Sequence, residues 1–169
     1  QFRHTASGKG TWTRVMETSQ AFARHGVAFN ILCVVNARNV RLGAELLRWF
    51  VNNGFAHVQF IPCLEPGMAH NVPLEAYGDF LCDTFDYWRK DLIGKVSVRD
   101  FDGLVCAAAD QPGVICTYGR TCNHYIVIEH NGDVYPCDFF VREGYRLGNV
   151  MDAPLHTFLE TERYTDFAY

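Results

Sequence analysis

The chain has 169 residues, enough for one domain with a real core or for parts of two. At 49% hydrophobic and 20% charged residues it reads as globular, and a net charge of -4 gives no electrostatic footprint for nucleic acid. No apolar run approaches the ~20 residues that a membrane helix needs, and the opening "QFRHTASGKG" lacks the apolar middle of a signal peptide.

In chain order, apolar residues at helical spacing (Trp12, Val15, Met16, Phe22) predict a helix from Trp12 to His25, closed by Gly26. The apolar run Val27 to Val35 predicts a strand buried on both faces of a parallel sheet. Val40 to Asn52 reads as a helix and Ala56 to Pro62 as the next strand. This helix–strand–helix–strand order predicts a right-handed βαβ unit. "CLEPGMAHNVP" is a loop at the C-terminal end of the second strand, the edge at which α/β sheets bind ligands. A long helix follows Pro73, with Leu74, Tyr77, Leu81, Phe85, Trp88 and Leu92 as its core-facing stripe. "KVSVRDF" suggests a short strand, and Phe101 to Ala109 a short helix.

The character changes near Pro112, where a hairpin replaces the βα rhythm. "HYIVIEH" and "DVYPC" are strand-like, and Asn131-Gly132 between them is the preferred pair of a two-residue type I′ turn. That turn sets His130 opposite Asp133, Ile128 opposite Tyr135 and Ile126 opposite Cys137. "LGNV" and a helix from Pro154 to Arg163 follow.

An odd number of cysteines, 7, without a secretory signal argues against a closed disulfide framework and for thiols or metal ligands in the cytosol. Cys116, Cys122 and Cys137 cluster around the hairpin. Cys122 precedes Ile126 by four residues, ~13 Å in an extended strand, so Cys116 and Cys122 must fold back to meet Cys137, which Gly119 allows. Spacing alone leaves four readings open: a zinc site with His124 as fourth ligand, an iron–sulfur cluster, a disulfide with one thiol over, or buried small side chains. Cys33, Cys82, Cys106 and Cys63 read as packing residues.

"CTYGRTCNHYIVIEHNGDVYPCDFFV" followed by "YRLGNV", with its Cys-x5-Cys-x14-Cys spacing, resembles the first part of the SPASM domain of radical SAM enzymes. More narrowly, it resembles the anaerobic sulfatase-maturating enzymes. Phe2-Arg3, "GKGTW", "FNILCVVN" and "VQFIPCLEP" resemble the later part of the radical SAM barrel, so the likeness spans nearly the whole chain. The resemblance implies an α/β fold. Residues 1–111 would be the C-terminal part of a (βα) barrel with parallel strands, with a linker helix. Residues 112–169 would be the N-terminal part of a SPASM-type domain, with a cysteine-bearing β-hairpin and a helix.

It also implies an activity: oxidation of a cysteine or serine of a sulfatase to formylglycine, using S-adenosylmethionine and 4Fe–4S clusters. By resemblance, Cys116, Cys122 and Cys137 match three ligands of the first auxiliary cluster. Asp138 matches a base for the substrate's thiol or hydroxyl, and Arg3 an arginine near the S-adenosylmethionine carboxylate. Gln59 and Ile61 match the strand edge near the adenosine. The implied partners are a sulfatase polypeptide and an electron donor such as a ferredoxin or flavodoxin, with no nucleic acid or membrane, in the cytoplasm. The family's Cys-x3-Cys-x2-Cys motif is absent from this chain, as are the second auxiliary cluster's cysteines. With no initial Met, the chain is expected to be an excerpt of a full-length enzyme, inactive alone. Another SPASM peptide modifier and a non-enzymatic zinc-binding cysteine module are the competing readings.

Overall fold

A computed structural model describes residues 3–64, 69–111, 115–123 and 125–169. Phe2, His124 and the Glu65-Pro66 end of "VQFIPCLEP" lie outside the described residues. The chain divides into two compact units, Gln1–Arg99 and Asp100–Tyr169.

In the first unit, α1 (Trp12–Arg24), β1 (Ile31–Val35), α2 (Gly43–Asn52), β2 (His57–Pro62), α3 (Leu74–Asp91) and β3 (Ser97–Val98) follow one another. The three strands form one parallel sheet in the order β1-β2-β3, with Leu32 beside Gln59, Val34 beside Ile61, and His57 beside Ser97. The expected βαβ rhythm is therefore present, each crossover carrying a helix. Val35, Val58, Phe60 and Val98 join Leu47, Phe50, Phe80 and Trp88 in the buried core. Phe60 meets Phe80 edge-on, with ring centroids 5.0 Å apart.

Two expectations about burial are corrected. β1 is not buried on both faces: Leu32 and Val34 are 59% and 50% exposed, because alternation turns them away from the core that holds Val35. On α3 the buried line is Phe80, Thr84 and Trp88, while Leu74 is 74% exposed. Thr84 is polar, but its hydroxyl donates to the Phe80 carbonyl at 2.6 Å, so it is not left unsatisfied in the core. It occupies the space a side chain at Gly43 would need: a Cβ there would meet Thr84 Oγ1 and stand 2.8 Å from the Phe80 carbonyl oxygen. Trp88 is satisfied in the same way, donating from Nε1 to the Val96 carbonyl at 2.7 Å. The rotated helix leaves Cys82 exposed, not packed, whereas Cys33, Cys63 and Cys106 are half-buried.

The second unit holds most of α4 (Arg99–Ala108), then β4 (Val127–Ile128), β5 (Asp133–Tyr135), β6 (Gly148–Asn149), α5 (Leu155–Leu159) and α6 (Glu162–Ala168). Its three strands pair antiparallel in the order β4-β5-β6. The expected single helix from Pro154 to Arg163 is two helices. Thr161 breaks it by capping α6, its hydroxyl accepting from the Tyr164 amide at 3.2 Å.

The hairpin is real, but its turn is not type I′. Val127 pairs with Tyr135 and Ile128 with Val134, one residue away from the expected register. The loop is His130-Asn131-Gly132. Gly132 donates to the Glu129 carbonyl at 2.8 Å, Glu129 donates to the Asp133 carbonyl at 2.9 Å, and Gly132 alone of the three has a positive φ, at 87°. This is the three-residue loop with glycine in the left-handed position, which Gly132 serves as well as it would the two-residue turn.

Candidate iron–sulfur and base site

The one-residue change of register decides what lies opposite Cys137. Continued past Val127 and Tyr135, the observed pairing puts Tyr125, not Ile126, across from it. The Tyr125 hydroxyl lies 4.0 Å from Cys137 Sγ and donates to Asp138 Oδ1 at 2.8 Å. Cys137 Sγ is itself 3.5 Å from the same carboxylate oxygen. Three side chains from the two hairpin arms thus converge, and sequence reasoning had named only Cys137 and Asp138.

The electrostatics follow from this contact. The hydrogen bond to the Asp138 carboxylate holds the Tyr125 phenol far above its ordinary range, so it stays a donor. Burial pushes the Cys137 thiol up, opposed by hydrogen bonds from the Phe139 amide and the Tyr125 hydroxyl. Cys137 ends its arm in extended backbone, and its carbonyl accepts from Phe140 at 3.0 Å as the chain enters the short turn Asp138–Phe140. That turn exposes Asp138 to solvent.

The other two cysteines are held by different anchors. Cys116 opens the one-turn helix Cys116–Tyr118, whose Ile115 and Tyr118 pack closely over Gly103 of α4. The Cys122 amide donates to the Ala168 carbonyl at 2.8 Å, at the C-terminal end of α6 where carbonyls lack intrahelical partners. The adjacent Asn123 donates to the Tyr169 hydroxyl at 2.8 Å. Cys116, Cys122 and Cys137 are all free thiols. Among the described residues, no three His, Cys, Asp or Glu side chains converge as a metal site. Soft sulfur donors are what iron–sulfur clusters take, so the donor chemistry fits such a group, while the thiols are not drawn to one point.

The hairpin tip is cross-braced. Asp133 Oδ1 accepts from Arg146 Nε at 2.7 Å and from Asn149 Nδ2 at 3.0 Å, and its Oδ2 accepts from Asn131 at 2.8 Å. These donors hold the Asp133 carboxyl below the usual carboxylate range, Arg146 contributing most. Asn149 also donates to the Asn131 carbonyl and accepts from the Met151 amide. Its neighbour Gly148 lies against Phe158, with no room for a Cβ. The "NGD" and "LGN" stretches are therefore two halves of one brace.

In the first unit, Arg3 is exposed and lines an open cavity of about 390 Å³ with Thr11, Arg14, Phe22 and Phe29. Its carbonyl accepts from the Thr11 amide at 3.2 Å. Gln59 and Ile61 lie on the sheet face that also carries Leu32 and Val34, opposite the buried Val58 and Phe60. Gln59 Oε1 accepts from Arg99 Nη1 at 3.2 Å. Arg99 was not foreseen; the signal available was its position, one residue past a strand on Gln59's side.

Residues 116–169 match the family model of the SPASM "iron-sulfur cluster-binding domain". Across 98% of its length, the chain is 34% identical to the "cysteine-type anaerobic sulfatase-maturating enzyme" of Clostridium perfringens. Across 99%, it is 32% identical to the "serine-type anaerobic sulfatase-maturating enzyme" of Bacteroides thetaiotaomicron. The solved structure "native anSMEcpe with bound AdoMet and Kp18Cys peptide" superposes on 98% of the chain with a TM-score of 0.88 at 33% identity. The chain spans 47%, 45% and 48% of these three proteins, under half of each. The α/β architecture with its parallel sheet thus matches that of an enzyme combining radical SAM and SPASM parts. The chain is similar over nearly its whole length to the anaerobic sulfatase-maturating enzymes, of which it spans less than half, and its residues 116–169 match the SPASM family.

Proposed function

We propose that the protein carrying this chain oxidises a cysteine or serine of a sulfatase polypeptide to formylglycine, as a cytoplasmic radical SAM oxidoreductase. The observation that carries this reading is the near-complete match of the chain to structures holding AdoMet and a peptide, together with the Cys137-Asp138 pair on its hairpin. Residues 1–111 serve as the later barrel and linker helix, and residues 112–169 as the start of the auxiliary-cluster domain. When bound, S-adenosylmethionine with its cluster supplies the radical that takes a hydrogen atom from the substrate Cβ.

The chain's own residues have the following roles. Cys116, Cys122 and Cys137 would supply three thiolates to an auxiliary 4Fe–4S cluster. Asp138, exposed beside Cys137, takes the proton from the substrate's thiol or hydroxyl. Arg3 offers a planar fork to the carboxylate of S-adenosylmethionine. Gln59, hydrogen-bonded by Arg99, and Ile61 would contact the adenosine from the sheet face that they share. A ferredoxin or flavodoxin supplies electrons.

The test is mass spectrometry of a sulfatase-derived peptide after anaerobic turnover by the complete protein. Formylglycine at the cysteine or serine position supports the reading. A different modification, or none while S-adenosylmethionine is cleaved, points to another SPASM peptide modifier.

A further inference from the structure

We infer that Tyr125 is a positioning residue for Asp138, fixing the carboxylate that takes the substrate's proton. The inference rests on the reading of Asp138 as that base. The turn Asp138–Phe140 leaves Asp138 exposed at the end of a hairpin arm, where packing does not select among the rotamers of its two side-chain bonds. A base must be held within hydrogen-bond reach of the proton it takes.

Tyr125 supplies the restraint. Its hydroxyl is 2.8 Å from Oδ1, a neutral donor on a charged acceptor, among the stronger hydrogen bonds. The contact exists because the three-residue loop sets Tyr125 opposite Cys137; the two-residue turn would have placed Ile126 there. The ring is rigid, with two rotatable bonds, and comes from the opposite arm, so the Asp138 oxygen is fixed relative to the hairpin itself. With Oδ1 engaged by Tyr125 and near Cys137 Sγ, Oδ2 is the oxygen left to face the substrate.

The experiment is a double-mutant cycle in the complete, cluster-loaded protein with Tyr125→Phe, Asp138→Asn and both together. Formylglycine turnover, peptide affinity without S-adenosylmethionine, and iron content are read for each variant. Tyr125→Phe is expected to lower kcat about tenfold, the effect of losing one hydrogen bond to a charged group, with peptide affinity and iron content unchanged. In the Asp138→Asn background it should add nothing further. An unchanged kcat in Tyr125→Phe, while Asp138→Asn abolishes turnover, overturns the inference and leaves the base reading intact. A loss of iron or peptide affinity in Tyr125→Phe, or an additive double variant, overturns it in favour of a purely structural tyrosine. If Asp138→Asn turns over normally, the base reading fails, and this inference fails with it.

Discussion

Arg146 directs two nitrogens, Nε and Nη2, at one carboxylate oxygen of Asp133, each at 2.7 Å. The pair ties the hairpin to the segment leading into β6, and Asn131 and Asn149 complete the carboxylate's partners. Because its folded pKa lies below the ordinary 3.8, Asp133 contributes stability that is fully present above that value. The contribution is lost as pH falls through the folded value. In the protein carrying this chain, Asp133→Asn should lower the thermal midpoint at neutral pH. The difference from the unmutated protein should shrink as pH drops below 3.8, as followed by thermal denaturation across pH.

Gly132 sits at φ 87°, and a Cβ added there would stand 2.7 Å from Asn149 Oδ1. Gly132→Ala therefore meets both backbone strain and a clash with the brace, a cost of about 1–3 kcal/mol. Had the turn been type I′, Asn131 would also need a positive φ. Asn131→Ala should instead lose only its hydrogen bonds to Asp133. Denaturant unfolding of the two variants separates the cases: Gly132→Ala is expected to be the more damaging.

Gly148 faces the ring of Phe158, whose Cδ1 would be 3.1 Å from an added Cβ. Gly148→Ala should destabilise by about 1–3 kcal/mol through overpacking. Combined with Phe158→Leu, the two costs should sum to less than their separate values, because the smaller side chain makes the room.

Burial pushes the Cys33 thiol up to about 11, while Cys82 lies exposed on α3. The thiolate is the nucleophile, so under native conditions near pH 8 Cys82 should be alkylated well before Cys33. Peptide mapping after a timed iodoacetamide pulse checks the order. Faster labelling of Cys33 would contradict the packing described for β1.

The parallel βαβ order was legible because "FNILCVV" and "VQFIP" are apolar runs separated by a helix-length segment. The face each residue takes was less legible. Thr84 belongs to the α3 core only because its hydroxyl bonds back to Phe80, and a hydrophobicity pattern cannot register that. Asn131-Gly132 marked the hairpin correctly but serves two turn geometries, and the wrong choice moved every cross-strand pair by one residue. Tyr125 stayed hidden for that reason, since its role depends wholly on register. Cys116, Cys122 and Cys137 stand out by their clustering and spacing, whereas Asp138 enters only through the family resemblance. Their separate anchors on α4, α6 and β5 involve residues up to 46 positions apart in sequence, as in the Asn123–Tyr169 bond.

The most direct measurement of the central claim is metal content and absorption of the anaerobically purified complete protein beside its Cys116→Ala, Cys122→Ala, Cys137→Ala variant. The account predicts a brown protein containing iron and sulfide, and a loss of about four iron atoms, one cluster, in the triple variant. A colourless protein with stoichiometric zinc, or a triple variant with its iron intact, would contradict it.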